Sequence, residues 1–201
     1  MARTQEERSA ATRAALLDAT IDCLVDYGYA GTTTTRVAER AGVSRGAQMH
    51  HFQRRAPLVV AALLHLAERR RRELIARAER ELPEQPDPAK ALDILWSTFS
   101  GPLFTAALEL WMAARTDPEL AEALLPAERA IGRGARKTAR ELCKAQDASP
   151  ELDRALELAA NTMRGIALQQ LLNPSRTRCE RQLDFLKQTL SVHLTPERQA
   201  A

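Results

Sequence analysis

The sequence is divided by three pairs in which a helix-capping residue is followed directly by proline: Asp87-Pro88, Asp117-Pro118 and Ser149-Pro150. Proline in the first turn of a helix loses no intrahelical hydrogen bond, and the capping side chain accepts a hydrogen bond from a free backbone N–H. Thr4 and Glu7 have the spacing of a capping box and predict one more helix start. Ala, Leu, Arg and Glu dominate the composition, so we predict an all-α protein of about nine helices without strands.

Apolar residues repeat at helical spacing between these markers. In the first predicted helix, Leu17, Ile21 and Leu24 share one face, and Gly28 is expected to end the helix. The remaining helices are predicted over residues 34–41, 45–52, 55–81, 88–99, 103–115, 118–144, 150–172 and 177–194. We expect the seventh of these nine helices to be disturbed near Pro126, because proline removes a hydrogen bond from a helix interior.

The segment from Thr34 to Phe52 reads TTRVAERAGVSRGAQMHHF and predicts a helix-turn-helix. In such a motif the second helix enters the major groove of DNA, which is about 12 Å wide. Arg45 offers a long donor side chain at the start of that helix. The small residues Gly46 and Ala47 let the backbone approach closely. A turn motif by itself leaves a second interpretation open, namely an incidental pair of helices in an α-bundle.

This region resembles the TetR family of bacterial transcriptional regulators. The resemblance is dense from Gly28 to Leu58 and becomes looser towards the C-terminus. The residues that carry it are Thr33-Thr34, Val37-Ala38, Ala41-Gly42-Val43-Ser44, Gly46, His51-Phe52 and Leu58. The resemblance implies a helix-turn-helix DNA-binding domain over residues 1–55, followed by a ligand-binding and dimerisation domain over residues 56–201.

Carried over residue by residue, the resemblance implies a set of DNA contacts: Thr34, Thr35, Arg45, Gly46, Ala47, His50, His51 and Arg55. We expect Arg45 to read a base, since arginine pairs bidentately with guanine, and the others to position the DNA backbone. Met49 stands where the family usually has a tyrosine that contacts phosphate, and a thioether cannot donate a hydrogen bond. Arg54 and Arg55 could replace that contact electrostatically.

Both tryptophans of the chain lie in the central helices, where aromatic residues are densest. The resemblance implies an inducer pocket in these helices, and we expect a small lipophilic ligand there. Its predicted contacts are Trp96, Phe99, Phe104, Leu108, Trp111 and Met163, with Glu109 or Asn161 as a polar partner. Aromatic residues at helical spacing are equally typical of a plain hydrophobic core.

The last two predicted helices carry apolar residues on more than one side. A helix with two apolar sides needs two packing partners, and one of them can be a second copy of the chain. We therefore predict a homodimer held by a four-helix interface. Its expected residues are Gly165, Leu168, Leu172, Leu183, Leu186 and Leu190.

Other classes of function find little support in the sequence. No nucleophile–base pair, phosphate loop or metal cluster occurs at usable spacing, so we expect no enzymatic activity, no cofactor and no metal. The adjacent His50 and His51 would point about 100° apart on a helix, which does not suit a shared metal. The formal net charge of +3 is too small to indicate a phosphate partner by itself.

Three separated cysteines indicate reduced thiols, and no apolar run approaches the roughly 18 residues of a membrane span. The first residues lack the apolar stretch of a signal peptide, so we expect a cytoplasmic protein without a membrane partner. The combined expectation is a repressor that binds a palindromic operator in double-stranded DNA as a dimer and is released by a lipophilic inducer. A regulator that needs no ligand, or one that activates, remains the alternative.

Overall fold

The computed structural model describes residues 4–84, 87–143 and 150–194, with side chains as far as residue 190. Within these ranges the chain forms nine α-helices and no strand, as the sequence predicts. The helices are α1 (Gln5–Gly31), α2 (Thr34–Ala41), α3 (Arg45–His51), α4 (Arg55–Glu81), α5 (Pro88–Trp96), α6 (Pro102–Ala114), α7 (Pro118–Leu142), α8 (Pro150–Leu172) and α9 (Arg176–Leu194). None of the helices described is long and apolar enough to cross a membrane.

The predicted caps explain where most of these helices begin. The Thr4 hydroxyl accepts the Glu7 N–H at 3.2 Å, and the Glu7 carboxylate accepts the Thr4 N–H at 2.8 Å, so the capping box is present. Asp87 and Asp117 each cap the helix that follows them. Ser149, the predicted cap of α8, lies outside the described residues. Pro126 does not end α7, which continues through it to Leu142.

Two helices end differently from the prediction. Gly28 does not terminate α1 but kinks it, with φ 63° and ψ −177°, and the helix resumes to Gly31. α5 stops at Trp96 instead of near residue 99, and a single 3-10 turn follows. The hydroxyls of Ser97 and Thr98 donate to backbone carbonyls three residues before them. Such local side-chain bonds compete with the α-helical pattern.

The described residues form two compact units. The first comprises residues 4–70 and 101–131, and its core is built from leucines such as Leu17, Leu63 and Leu110. The second comprises residues 71–84, 87–100, 132–143 and 150–194, with a core that includes Leu92 and Met163. α6 packs along α1 inside the first unit. The predicted functional boundary at residue 55 therefore falls inside a packing unit, and it stays a prediction about function.

The kink at Gly28 yields a test of stability. Its φ/ψ combination is available almost only to glycine, and a Cβ at this position would lie 2.7 Å from Oε2 of Glu109. We expect Gly28→Ala to lower the free energy of unfolding by about 2–3 kcal/mol, from backbone strain and displacement of that carboxylate. Urea denaturation followed by circular dichroism measures the change.

Gly42→Ala is the matched control. Gly42 also has a positive φ of 66°, but no heavy atom lies within 4 Å of a Cβ built there. Only the left-handed backbone is then penalised, by roughly 1 kcal/mol. Equal losses from the two substitutions would show that the contact with Glu109 contributes nothing.

Candidate functional site

The helix-turn-helix is held together by a buried side of α2 and a left-handed turn. Val37 and Ala38 are buried in the first unit. Gly42 adopts φ 66° and ψ 29°, and the N–H of Val43 donates to the Ala38 carbonyl at 3.0 Å. The Ser44 hydroxyl then accepts the Ala47 N–H at 3.2 Å and starts α3. The turn and cap predicted from sequence thus place α3 as a separate short helix after α2.

α3 presents a small, open face to solvent. Arg45, Gly46, Met49 and His50 are exposed, and Ala47 is half-buried. A Cβ at Gly46 would meet only the Ser44 hydroxyl, at 4.0 Å. Nothing in the described part of the chain therefore requires glycine here, although glycine costs a helix about 1 kcal/mol relative to alanine. The small residue leaves space on the outside of α3.

Gln48 faces the other way and was missed by the sequence analysis. Its side chain is 2% exposed, and Nε2 donates to the Phe52 carbonyl where α3 ends. A buried amide of this kind is satisfied by a backbone acceptor that the helix leaves free. The available signal was its position in α3, between residues that point outwards.

α2 is fastened to α1 around Tyr27. The guanidinium groups of Arg36 and Arg40 lie 4.5 Å and 5.5 Å from the centroid of the Tyr27 ring. Arg40 also pairs with Asp26 at 2.6 Å, and Arg36 donates to the Gly31 carbonyl. The predicted contacts Thr34 and Thr35, half-buried and exposed respectively, therefore stand on a helix whose two arginines are engaged with α1.

Arg55 packs against the ring of Tyr29 and stays partly exposed. Its guanidinium lies 4.0 Å from the Tyr29 ring centroid and 3.9 Å from Oδ2 of Asp117. The Tyr29 hydroxyl donates to the same Asp117 carboxylate at 3.0 Å, while Arg54 pairs with Glu119 at 2.9 Å. The phosphate contacts expected of both arginines stay predictions, and they compete with these intramolecular partners.

His51 and His50 differ in environment. His51 is half-buried, and burial, helped by the charges of His50 and Arg13, lowers the pKa of its imidazole, so His51 is neutral at pH 7. Arg13 of α1 lies 5.4 Å from the Phe52 ring centroid. An open groove of about 490 Å³ is bordered by Ser9, Arg13, His50 and His51. Sequence reasoning missed Arg13, which brings a cation from α1 next to α3.

The six predicted ligand contacts are divided between the two units. Trp96 and Phe99 are half-buried, with ring centroids 6.4 Å apart, and Met163 is buried in the same unit. The other three predicted contacts, Phe104, Leu108 and Trp111, belong to the first unit. Their role in binding a ligand stays a prediction.

Glu109 has a structural partner. Its carboxylate accepts the Tyr29 N–H at 3.2 Å, directly after the kink in α1. Glu109 was one of two residues predicted as a polar partner for the ligand. Its Oε2 is instead occupied by the backbone at the kink.

The α9 residues predicted for the dimer interface lie in a core. Leu183, Leu186 and Leu190 are 8%, 6% and 2% exposed, and they belong to the core of the second unit. The chain's own helices already cover these side chains, and their assignment to an interface between chains stays a prediction. Gly165, Leu168 and Leu172 of α8 are exposed, and so is Phe185 on another side of α9.

Comparisons with known proteins agree on one family. The family model described as bacterial regulatory proteins of the tetR family matches residues 16–62. The HTH-type transcriptional regulator CymR of Pseudomonas putida is 33% identical over 184 residues, which cover 89% of each chain. An uncharacterised HTH-type regulator of Mycobacterium tuberculosis is 38% identical over 125 residues, 62% of this chain and 64% of the relative. That match spans less than two thirds of the mycobacterial protein.

Solved structures show the same fold. A transcriptional regulator from Rhodococcus sp. RHA1 superimposes with a TM-score of 0.65 at 27% identity, over 90% of this chain and 96% of the other. The multidrug binding protein EbrR, crystallised in complex with ethidium, has a TM-score of 0.62 at 27% identity, over 88% of this chain and 96% of the other.

Proposed function

Because this chain belongs to the TetR family of bacterial transcriptional regulators, we propose that it is a repressor that binds a palindromic operator as a homodimer and is released by a small lipophilic inducer. The relatives are transcriptional regulators, a family without enzymatic activity. The observation that carries the proposal is the outer face of α3, where Arg45 stands beside the open position Gly46. A chromosomal target implies action in the cytoplasm.

The proposed DNA contact follows from the size of that face. α3 has seven residues, and its first turn exposes a guanidinium next to a residue without a side chain. The backbone at Gly46 can then approach a base pair or a phosphate, and Arg45 can reach guanine O6 and N7. Thr35 is exposed on α2, and His50 lies near Arg13 towards the end of α3. These donors suit contacts to the DNA backbone.

Dimerisation is proposed on an exposed stripe of α8. Leu158, Asn161, Gly165, Leu168 and Leu172 follow one another at intervals of 3, 4, 3 and 4 residues, which is the spacing of a coiled-coil seam. The three leucines are 54%, 50% and 93% exposed in the single chain. No described heavy atom lies within 4 Å of a Cβ at Gly165, so a second helix has room there. Phe185 of α9, 71% exposed, would join this interface.

Release by a ligand is proposed from the aromatic residues of the central helices and from a relative. EbrR has been crystallised with ethidium, a lipophilic aromatic compound. A ligand dissociates a repressor from DNA only if it binds one conformation of the dimer more tightly than the other. We propose that the inducer favours a spacing of the two α3 helices that does not match the operator.

Gly46→Ala tests the DNA contact because it separates binding from folding. A helical alanine should raise the free energy of unfolding by about 0.5–1 kcal/mol, since a Cβ added at Gly46 would not clash with any neighbouring atom. The added methyl group should nevertheless weaken binding to the DNA upstream of the protein's own gene. Gel retardation over a range of salt concentrations measures binding, and urea denaturation measures stability.

Two further variants make this test decisive. Gly134→Ala, at another helical position with no atom within 4 Å, should give the same stabilisation without any loss of binding. Arg45→Ala should cost about 1–3 kcal/mol on the operator and much less on random DNA. Equal losses on both DNAs would assign Arg45 to the phosphate backbone and not to a base.

The interface is tested by placing a charge on the seam. Leu168→Asp should produce monomers, because a carboxylate would be buried without a partner within the stripe. Leu171→Asp is the control: Leu171 is 52% exposed against 50% for Leu168, but its side chain points about 100° away from the middle of the stripe. Sedimentation velocity reports the oligomeric state. If both variants stay dimeric, the seam is not the interface.

Ligand release is tested by the two tryptophans. A true inducer should change tryptophan emission saturably and weaken operator binding over the same concentration range. Trp96→Phe and Trp111→Phe then show which residue reports the ligand. If no compound in a broad lipophilic panel changes either signal, release by a lipophilic inducer is contradicted, whereas the proposed DNA contact is not affected.

A further inference from the structure

A groove of about 550 Å³ lies along α9 in the second unit, between α5 and the α8–α9 turn. This volume falls in the range of roughly 300–1,000 Å³ that small-molecule sites occupy. Trp96, Pro174, Cys179 and Leu183 give it an apolar lining. Burial raises the pKa of the Cys179 thiol, which is therefore uncharged at neutral pH. Of the six ligand contacts predicted from sequence, Trp96 alone is among its lining residues.

The rim of the groove carries more negative than positive charge. Three lining residues are acidic (Asp93, Glu180 and Asp184) and two are basic (Arg176 and Lys187), which leaves an excess of one negative charge. Arg176 and Glu180 pair with each other at 2.7 Å.

The excess charge is concentrated around Lys187. Its single ammonium group lies 2.9 Å from Oδ1 of Asp93 and 2.8 Å from Oδ1 of Asp184. The hydrogen bond to Asp184 raises the pKa of Lys187, so the ammonium stays protonated. Among the lining residues, one positive charge is thus shared by two carboxylates, which remain 51% and 61% exposed. Arg77, outside the lining, also interacts electrostatically with Asp93 but hydrogen-bonds to Glu81. Asp93 and Asp184 can both accept a second cation.

We propose that this groove binds a planar aromatic monocation, with its ring against Trp96 and its positive charge beside Asp93 and Asp184. Tryptophan gives the strongest cation–π attraction of the aromatic side chains. An aromatic anion of the same size would meet an excess of negative charge, since three carboxylates and two cations line the groove. The use of this site for induction rests on the proposed repressor function, whereas binding at the groove does not.

Phe185 of the proposed dimer interface and Lys187 of the groove are two residues apart on α9, so their side chains point about 160° away from each other. The proposed interface and the groove therefore lie on different sides of α9.

Trp111→Phe protein leaves Trp96 as the only tryptophan and makes the test specific. We expect 9-aminoacridine, a planar cation at pH 7, to quench Trp96 emission saturably with one site per chain. Anthracene-9-carboxylate, an anion with a similar ring system, should bind at least fivefold more weakly. Strong quenching by the anion and none by the cation would overturn the proposal.

Two charge variants, made in the Trp111→Phe protein, should change the affinity for 9-aminoacridine in opposite directions. Asp184→Asn should weaken 9-aminoacridine binding about fivefold, and Lys187→Met should strengthen it by a similar factor, since both carboxylates are then unneutralised. Glu157→Gln, an equal charge change on the exposed part of α8, should have no effect. Circular dichroism confirms that each variant is folded. A weaker affinity in Lys187→Met would show that the negative charge of the groove does not drive binding and would overturn the proposal.

The outcome is separable from that of the proposed function because the titration contains no DNA. If the variants show the expected charge dependence but the protein does not bind an operator, the ligand site in the groove stands and the proposed repressor function is wrong. If the protein binds its operator but the cation does not quench Trp96, only the ligand site in the groove is wrong.

Discussion

Tyr29 joins four parts of the first unit, and the position of the DNA-binding helices depends on it. Its N–H donates to Glu109 of α6, its hydroxyl donates to Asp117 at the start of α7, and its ring lies under Arg55 of α4. The kink at Gly28 turns the chain so that these contacts form together. Burial raises the pKa of the Tyr29 hydroxyl, which keeps it protonated and able to donate. α2 and α3 follow within a few residues and are therefore placed relative to α4, α6 and α7.

The inner side of α3 is packed against the protein, whereas its outer side is exposed to solvent. The inner side is complete, since Gln48 bonds the Phe52 carbonyl and Val37 of α2 is fully buried. The outer side has an exposed guanidinium, an exposed glycine and an exposed methionine. Exposed glycine and methionine contribute little to the stability of a seven-residue helix. Their presence on this side agrees with the proposed close approach of α3 to double-stranded DNA.

α8 and α9 each carry apolar residues on two sides, and only one of these sides is buried in the single chain. In each of them one side is buried in the second unit, through residues such as Met163 and Leu186. The remaining apolar side chains, Leu168, Leu172 and Phe185 among them, stay exposed in the single chain. Exposed apolar stripes of this kind are expected where a second copy covers them. A third side of α9 faces α5 and borders the groove at Trp96 with both apolar residues, such as Cys179, and charged ones, such as Asp184 and Lys187.

The sequence by itself determined the helices, their caps and the helix-turn-helix, because these depend on local physics. A capping hydroxyl such as that of Ser44 acts on an N–H three residues away, and apolar spacing states which residues share a face. The same spacing cannot say what each face will pack against. Leu183, Leu186 and Leu190 satisfy a core and an interface equally well, and only the tertiary structure assigned them to the core. Arg55 could be placed beside Tyr29 only by the tertiary fold, since 26 residues separate them and the contact requires the kink at Gly28.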